Sequence, residues 1–361
     1  MKKKIALFLA AVMAAFAVTA CAGTGQNTSQ TAASPETVSQ TEPQTETESE
    51  TAAETKDYGT PVDVNVMALK GPTAMGMVKM MDDVDNGTLT DENYQFAIAA
   101  SADEVTPKLV QGEADIAAVP ANLASVLYNN TDGGVEVLAI NTLGVLYIVE
   151  NGDTIHSVED LRGKTIYASG KGATPEYALN YILEANGIDP EKDVTIEWKS
   201  EHSECVAAMA ADTTAIAMLP QPFVTTAQAK NSDIRVALDL TEEWDKTQEG
   251  KEDGSALLTG VVVARTDFIE EHPEAVDAFL DHDAESVAYV NDNVSEGAQL
   301  VGKYDIVTAE VAEKAIPECN IVYIDGSEMK TQLSGYLNVL YEQNAKAVGG
   351  QLPGDDFYYI R

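Results

Sequence analysis

From residue 62 to residue 264 the chain alternates apolar runs of strand length with stretches of helical period, a rhythm that few folds accept. Apolar runs fall at 62–69, 94–99, 115–119, 135–140, 145–149, 165–168, 194–198, 215–219, 234–239 and 259–264. Apolar positions spaced three and four apart fill 73–83, 102–111, 121–129, 175–186 and 203–211 between them. Strands that alternate with helices of this length imply an α/β domain whose crossover helices cover a largely parallel sheet. After residue 264 the helical period dominates, at 267–291, 294–302, 308–316 and 328–349.

Two polar breaks interrupt the rhythm, at Glu150-Asn151-Gly152-Asp153 and at Glu249-Gly250-Lys251-Glu252-Asp253-Gly254. If the chain leaves one lobe at the first break and returns at the second, residues 151–254 form an inserted lobe. Residues 58–150 and 255–361 then form the other lobe, and two crossing segments make a hinge behind a cleft. The alternative is one continuous sheet with a polar loop at each break.

The N-terminus carries an export signal. Lys2, Lys3 and Lys4 precede an apolar stretch from Ile5 to Val18, too short to span a bilayer and right for a signal peptide. Val18-Thr19-Ala20-Cys21 resembles a bacterial lipobox, which implies cleavage after residue 20 and a lipid on Cys21. Two or three acyl chains on one residue give stable anchoring without a transmembrane helix. Residues 21–57 are rich in Thr, Glu, Ser and Gln and too poor in apolar side chains to fold, so they read as a disordered acidic tether.

The formal net charge is −37, and loss of Lys2, Lys3 and Lys4 makes it −40. So strong an acid excess, without a basic stripe, excludes nucleic acid as a partner. The acids are scattered and form no calcium loop, and the four histidines form no metal motif, so no metal or cofactor is expected. No nucleophile or phosphate-loop motif is present, which argues against catalytic residues and an enzyme. Cys205 and Cys319 fall in segments assigned to different lobes, where a bridge would lock the hinge; two buried free thiols are expected.

Several segments resemble type II periplasmic binding proteins of the nitrate/sulfonate/taurine and thiamine-pyrimidine-precursor group. They are Leu69-Lys70-Gly71-Pro72-Thr73-Ala74-Met75-Gly76, Gly112-Glu113-Ala114-Asp115-Ile116-Ala117 and Ser157-Val158-Glu159-Asp160-Leu161-Arg162-Gly163-Lys164-Thr165-Ile166. Gly170-Lys171-Gly172-Ala173-Thr174-Pro175 and Leu219-Pro220-Gln221-Pro222 complete the likeness, which covers most of residues 60–345. The resemblance implies a two-lobed α/β fold with a ligand cleft between lobes. It also implies a monomeric, extracellular or periplasmic solute-binding lipoprotein that passes a small molecule to an ABC permease on the outer face of the cytoplasmic membrane. A sensing lipoprotein and an enzyme on the same fold are the competing readings.

The expected site follows from strand ends. In open α/β sheets ligands bind beyond the carboxyl ends of strands, where helix N-termini offer free N–H groups. That places Thr73, Ala74, Ser101, Ala121 and Asn122 in the first lobe, and Thr174, Pro175, Gln221 and Pro222 in the second. Each is equally a normal helix start or turn. Trp244 either stacks on a ligand ring or packs the lobe, and Lys70 and Lys171 are the nearest cations.

Overall fold

The computed structural model describes Lys56 and residues 58–250 and 255–361. The expected signal peptide, the lipid-bearing Cys21 and nearly all of the tether lie outside these residues.

The first lobe opens with β1 (Asp63–Leu69), α1 (Pro72–Met75), α2 (Val78–Asp85), β2 (Asn93–Ala99) and α3 (Ala102–Gln111). It continues through β3 (Ile116–Pro120), α4 (Ala121–Asn130) and β4 (Val135–Leu143). The second lobe holds β5 (Leu146–Asn151), β6 (Thr165–Ser169), α5 (Thr174–Ala185), β7 (Thr195–Lys199) and α6 (His202–Ala211). It closes with β8 (Ile216–Pro220), α7 (Phe223–Lys230), β9 (Ile234–Asp239) and α8 (Leu240–Gln248). The chain then returns through β10 (Leu258–Arg265), α9 (Thr266–Glu271), α10 (Pro273–Asp292), α11 (Val294–Lys303), α12 (Ala309–Ala315), β11 (Ile321–Asp325) and α13 (Gly326–Gln343).

Two sheets result, one of six strands in the order β11-β4-β10-β3-β1-β2 and one of five in the order β7-β6-β8-β5-β9. In the first sheet the edge strand β11 runs against β4, and in each sheet one inner strand runs against both its neighbours: β10 is antiparallel to β3 and β4, and β5 to β8 and β9. Each of these inner strands is the first strand after a crossing between lobes. A chain arriving from the other lobe enters at the cleft edge, where the parallel strands end, so it must run back down the sheet.

The first crossing therefore lies at Gly144-Val145, between β4 and β5, and not at the polar break after residue 149. The run 145–149, expected to close the first lobe, pairs in the second sheet. The break at Glu150–Asp153 is a turn at the far end of that sheet. Its polarity serves the Glu150 carboxylate, which accepts from the N–H groups of Thr154 and Ile155 and pairs with Arg235. The second break is described only as far as Gly250.

Further differences have local causes. The helix expected over 73–83 breaks at Gly76, and the one over 267–291 breaks at His272-Pro273, because proline cannot donate to the preceding turn. Helices α7 and α8 and strand β11 were not anticipated; β11 adds to the sheet edge beside β4.

One core runs through both lobes and includes Val119, Ala124, Leu146, Trp244, Leu333 and Tyr336. A second fills the other face of the first sheet, around Met75, Phe279 and Ile316, and a smaller one lies under α6 and α7. Cys205 and Cys319 are buried and unpaired, one in each lobe. Among the described residues no helix is long and apolar enough to cross a membrane.

Candidate functional site

Strands β1, β3 and β4 end at one edge of the first sheet, and β6, β7, β8 and β9 end at one edge of the second. These two edges face each other. A polar contact across them joins Asn122, at the start of α4, to Thr174, at the start of α5: the Thr174 Oγ1 hydroxyl donates to Asn122 Oδ1 at 3.5 Å.

On the first-lobe side, Gly71 takes a φ of 140°, which a side chain would strain, and lets Pro72 start α1 directly beyond β1. Thr73 donates its hydroxyl to Leu69 O at 2.8 Å, and its own carbonyl accepts from Asn141 Nδ2 at 3.2 Å. Gly260 lies against this pair, since a Cβ there would sit 2.6 Å from Thr73 Cγ2 and 2.6 Å from Asn141 Oδ1. Ala74 and Ala121 are completely buried and act as packing, and the Ala74 N–H is taken by Gly71 O. Ser101 is exposed, and its hydroxyl turns to Glu104.

On the second-lobe side, Pro175 packs against Gly170, where an added Cβ would lie 2.7 Å from the proline ring. Pro222 is buried, and Gln221 uses its side-chain oxygen on the N–H and hydroxyl of Thr225. Trp244 is a core residue rather than a cleft wall. Its indole N–H donates to Ser255 O at 2.9 Å, and its ring centroid lies 4.5 Å from that of Tyr181 and 5.7 Å from that of Tyr336. An amphipathic ring of that size is accommodated there because the core continues across the lobes.

Three groups were missed in the sequence. Tyr336 on α13 donates its hydroxyl to Thr174 Oγ1 at 3.1 Å. Ser169, the last residue of β6, bonds His202 Nδ1, and the His202 ring centroid lies 5.0 Å from that of Phe223 at the start of α7. Burial pushes the His202 pKa down to about 4, so the imidazole is neutral at neutral pH. Beside it the Cys205 thiol is pushed up by burial and stays protonated. Ser169 and His202 both stand at strand ends, so the rule that selected Thr174 also selects them; the search for histidine clusters passed over a single one. The third group, Tyr147 and Asp239 of the second lobe with Lys314 and Glu318 of the first, lines a groove of about 550 Å³ together with Gln221, which the sequence had named. Tyr147 donates its hydroxyl to Glu318 O across it at 3.1 Å.

Charged side chains at these edges are Lys199 and Asp239, the last residues of β7 and β9, with Lys314 and Glu318 in the groove. Lys70 lies 3.9 Å from Asp305 on the surface, and Lys171 is exposed. All four arginines of the chain are committed to carboxylates elsewhere: Arg162 to Glu159 and Asp193, Arg235 to Glu150, Arg265 to Asp115 and Asp267, Arg361 to Asp281 and Asp325.

Residues 77–315, more than half of the chain, match the family model described as ABC transporter, phosphonate, periplasmic substrate-binding protein. The chain belongs to this family. Its role is therefore to bind a small-molecule solute for an ABC transporter. Solved structures agree in fold. An ABC transporter from Parabacteroides distasonis is 22% identical over 82% of this chain and 98% of its own, with a TM-score of 0.67. The periplasmic aliphatic sulphonate binding protein of Escherichia coli is 14% identical over 82% and 96%, with a TM-score of 0.66. The periplasmic nitrate-binding protein of Synechocystis PCC 6803 is 16% identical over 70% and 69%, with a TM-score of 0.54. No curated protein matches the chain in sequence.

Proposed function

We propose that the chain captures a small organic solute with a compact, acceptor-rich end, of the sulfonate or singly charged phosphonate kind or a planar heteroaromatic ring, and delivers it to the permease. The observation that carries this reading is the commitment of all four arginines to carboxylates away from the cleft. Dianions and dicarboxylates call for bidentate guanidinium partners. The cleft edges offer instead hydroxyls, amides, helix N-termini and the neutral His202 ring, which suit a neutral or singly anionic solute. The role is binding and not catalysis, and it needs no metal or cofactor.

The test is a thermal-shift panel of sulfonates, phosphonates, heteroaromatics, dicarboxylates, polyamines and divalent metal ions. A solute at 100 times its Kd adds about 2.7 kcal/mol of stability. Shifts confined to dicarboxylates, polyamines or metal ions overturn the ligand class.

The same reading places the mature N-terminus at Cys21, held by its lipid on the outer face of the cytoplasmic membrane, with the folded part acting as a monomer. Cys21→Ala is expected to move the protein out of the membrane fraction or leave its precursor uncleaved, with folding intact. A parent protein recovered as an unmodified secreted chain refutes the anchor.

A further inference from the structure

The Thr174 hydroxyl is occupied before any solute arrives. A hydroxyl has one hydrogen to donate and two lone pairs. Thr174 donates its hydrogen to Asn122 Oδ1 and accepts from Tyr336 OH, while Asn122 Nδ2 donates to Ala347 O at 3.2 Å. All three side chains are buried, Asn122 to 4% exposure, Thr174 to 2% and Tyr336 to 0%. Three segments far apart in sequence, around Asn122, around Thr174 and from Tyr336 to Ala347, thus meet in one polar chain inside an apolar core.

The segments belong to different lobes. Asn122 opens α4 and Thr174 opens α5, whereas Tyr336 sits midway along α13, which buries Leu333, Leu337 and Leu340. Helix α13 packs on α4, β4 and β11 of the first lobe and also touches α5 of the second. The Tyr336 ring meets Trp244 of the second lobe, whose own ring meets Tyr181. One aromatic side chain therefore joins the second lobe twice, by its ring and by its hydroxyl.

We propose that Tyr336 is a positioning residue that latches the closed lobes: its hydroxyl holds Thr174 against Asn122, and solute affinity is set partly from behind the site. This rests on the reading of the cleft as the solute site. Parting the lobes breaks the Thr174–Asn122 contact and leaves its buried groups to find water, an opening cost that every closed, solute-bound molecule retains. Removing one hydroxyl of the latch shifts the unliganded population toward the open form. Apparent affinity falls by the same factor, because only the closed form binds tightly.

The chain contains two tryptophans, and Trp198→Phe leaves Trp244 as the reporter at the latch. In that background of the full chain, Tyr336→Phe keeps the ring and deletes the hydroxyl. It is expected to red-shift Trp244 emission and raise its quenching by acrylamide several-fold, with far-UV circular dichroism unchanged. Thr174→Val should do the same, the double variant should do no more than either alone, and Thr174→Ser should behave as the parent. That coupling and rescue separate a latch from a general loosening of the core, in which two substitutions add. With methanesulfonate and methylphosphonate as probes, whichever binds the parent should bind Tyr336→Phe three- to tenfold more weakly. Independent effects of the two substitutions on quenching, or none, overturn the latch. If neither probe binds the parent, the proposed solute class loses support, while the quenching cycle still decides the latch.

Discussion

Replacing Asp283 by Asn is expected to stabilise the protein at neutral pH and to flatten the pH dependence of its stability. Asp283 sits on α10 at 1% exposure, and neither carboxylate oxygen has a hydrogen-bond partner among the described residues. The groups that feel its charge are the hydroxyls of Tyr94 and Tyr323, both pushed up by burial and therefore neutral. Burial alone raises its pKa from 3.8 to about 7. Between those values the folded protein holds a proton that the unfolded chain has released, so stability falls as pH rises through that window. Below pH 3.8 the group is neutral in both states and costs nothing; above pH 7 the whole cost applies. At about 1.4 kcal/mol for each pH unit of the window, that cost is about 4 kcal/mol. It is an upper figure, since water entering around a charged group relieves part of it. Asp283→Asn keeps the shape of the neutral acid and cannot ionise. Urea denaturation from pH 5 to pH 8 should show the parent losing a few kcal/mol and the variant holding level, with the variant the more stable at pH 8. Two parallel curves, or a variant less stable at pH 8, would refute the argument.

Glu150→Gln should destabilise the second lobe by about 1.5–3 kcal/mol, the worth of hydrogen bonds to a charged group, read by denaturant unfolding at pH 7. Burial opposes ionisation of Glu150, but the N–H groups of Ile155 and Thr154, the Thr154 hydroxyl and Arg235 together hold its pKa below the ordinary 4.5. Its contribution is therefore complete above that value and disappears as pH falls through the folded one, so the gap between parent and variant should close in acid. Gly144→Ala tests the crossing: a Cβ there would lie 2.1 Å from Thr241 Oγ1, 3.0 Å from Thr241 Cβ and 3.1 Å from Leu257 Cδ2. Overpacking of that kind costs about 1–3 kcal/mol and should lower the melting temperature; an unchanged value would mean that the two crossing segments separate without penalty.

The alternation of strands and helices was legible because strands covered on both faces read as apolar runs: Ile116–Val119 and Ile216–Leu219 are buried at every position. The crossing was illegible for the same reason. From Leu138 to Val149 the chain stays buried almost throughout as it passes from one lobe to the other, so no change of composition marks Gly144. The polar turn beyond it looks like a domain exit because a buried carboxylate there requires polar partners. Site residues divide along a similar line. Asn122 and Thr174 were found because a helix start just past a strand is a local signal, visible within a few residues. Tyr336 is 162 residues from Thr174, and nothing near it in sequence distinguishes it from any other aromatic on an amphipathic helix. A local signal can nominate the groups that face a cleft, but it cannot tell whether their hydrogens are free for a solute. That depends on partners brought by the fold, and at Thr174 both the donor and an acceptor site are already used within the protein. Thr174, named from the sequence as a ligand contact, is in the folded chain first of all a contact between lobes.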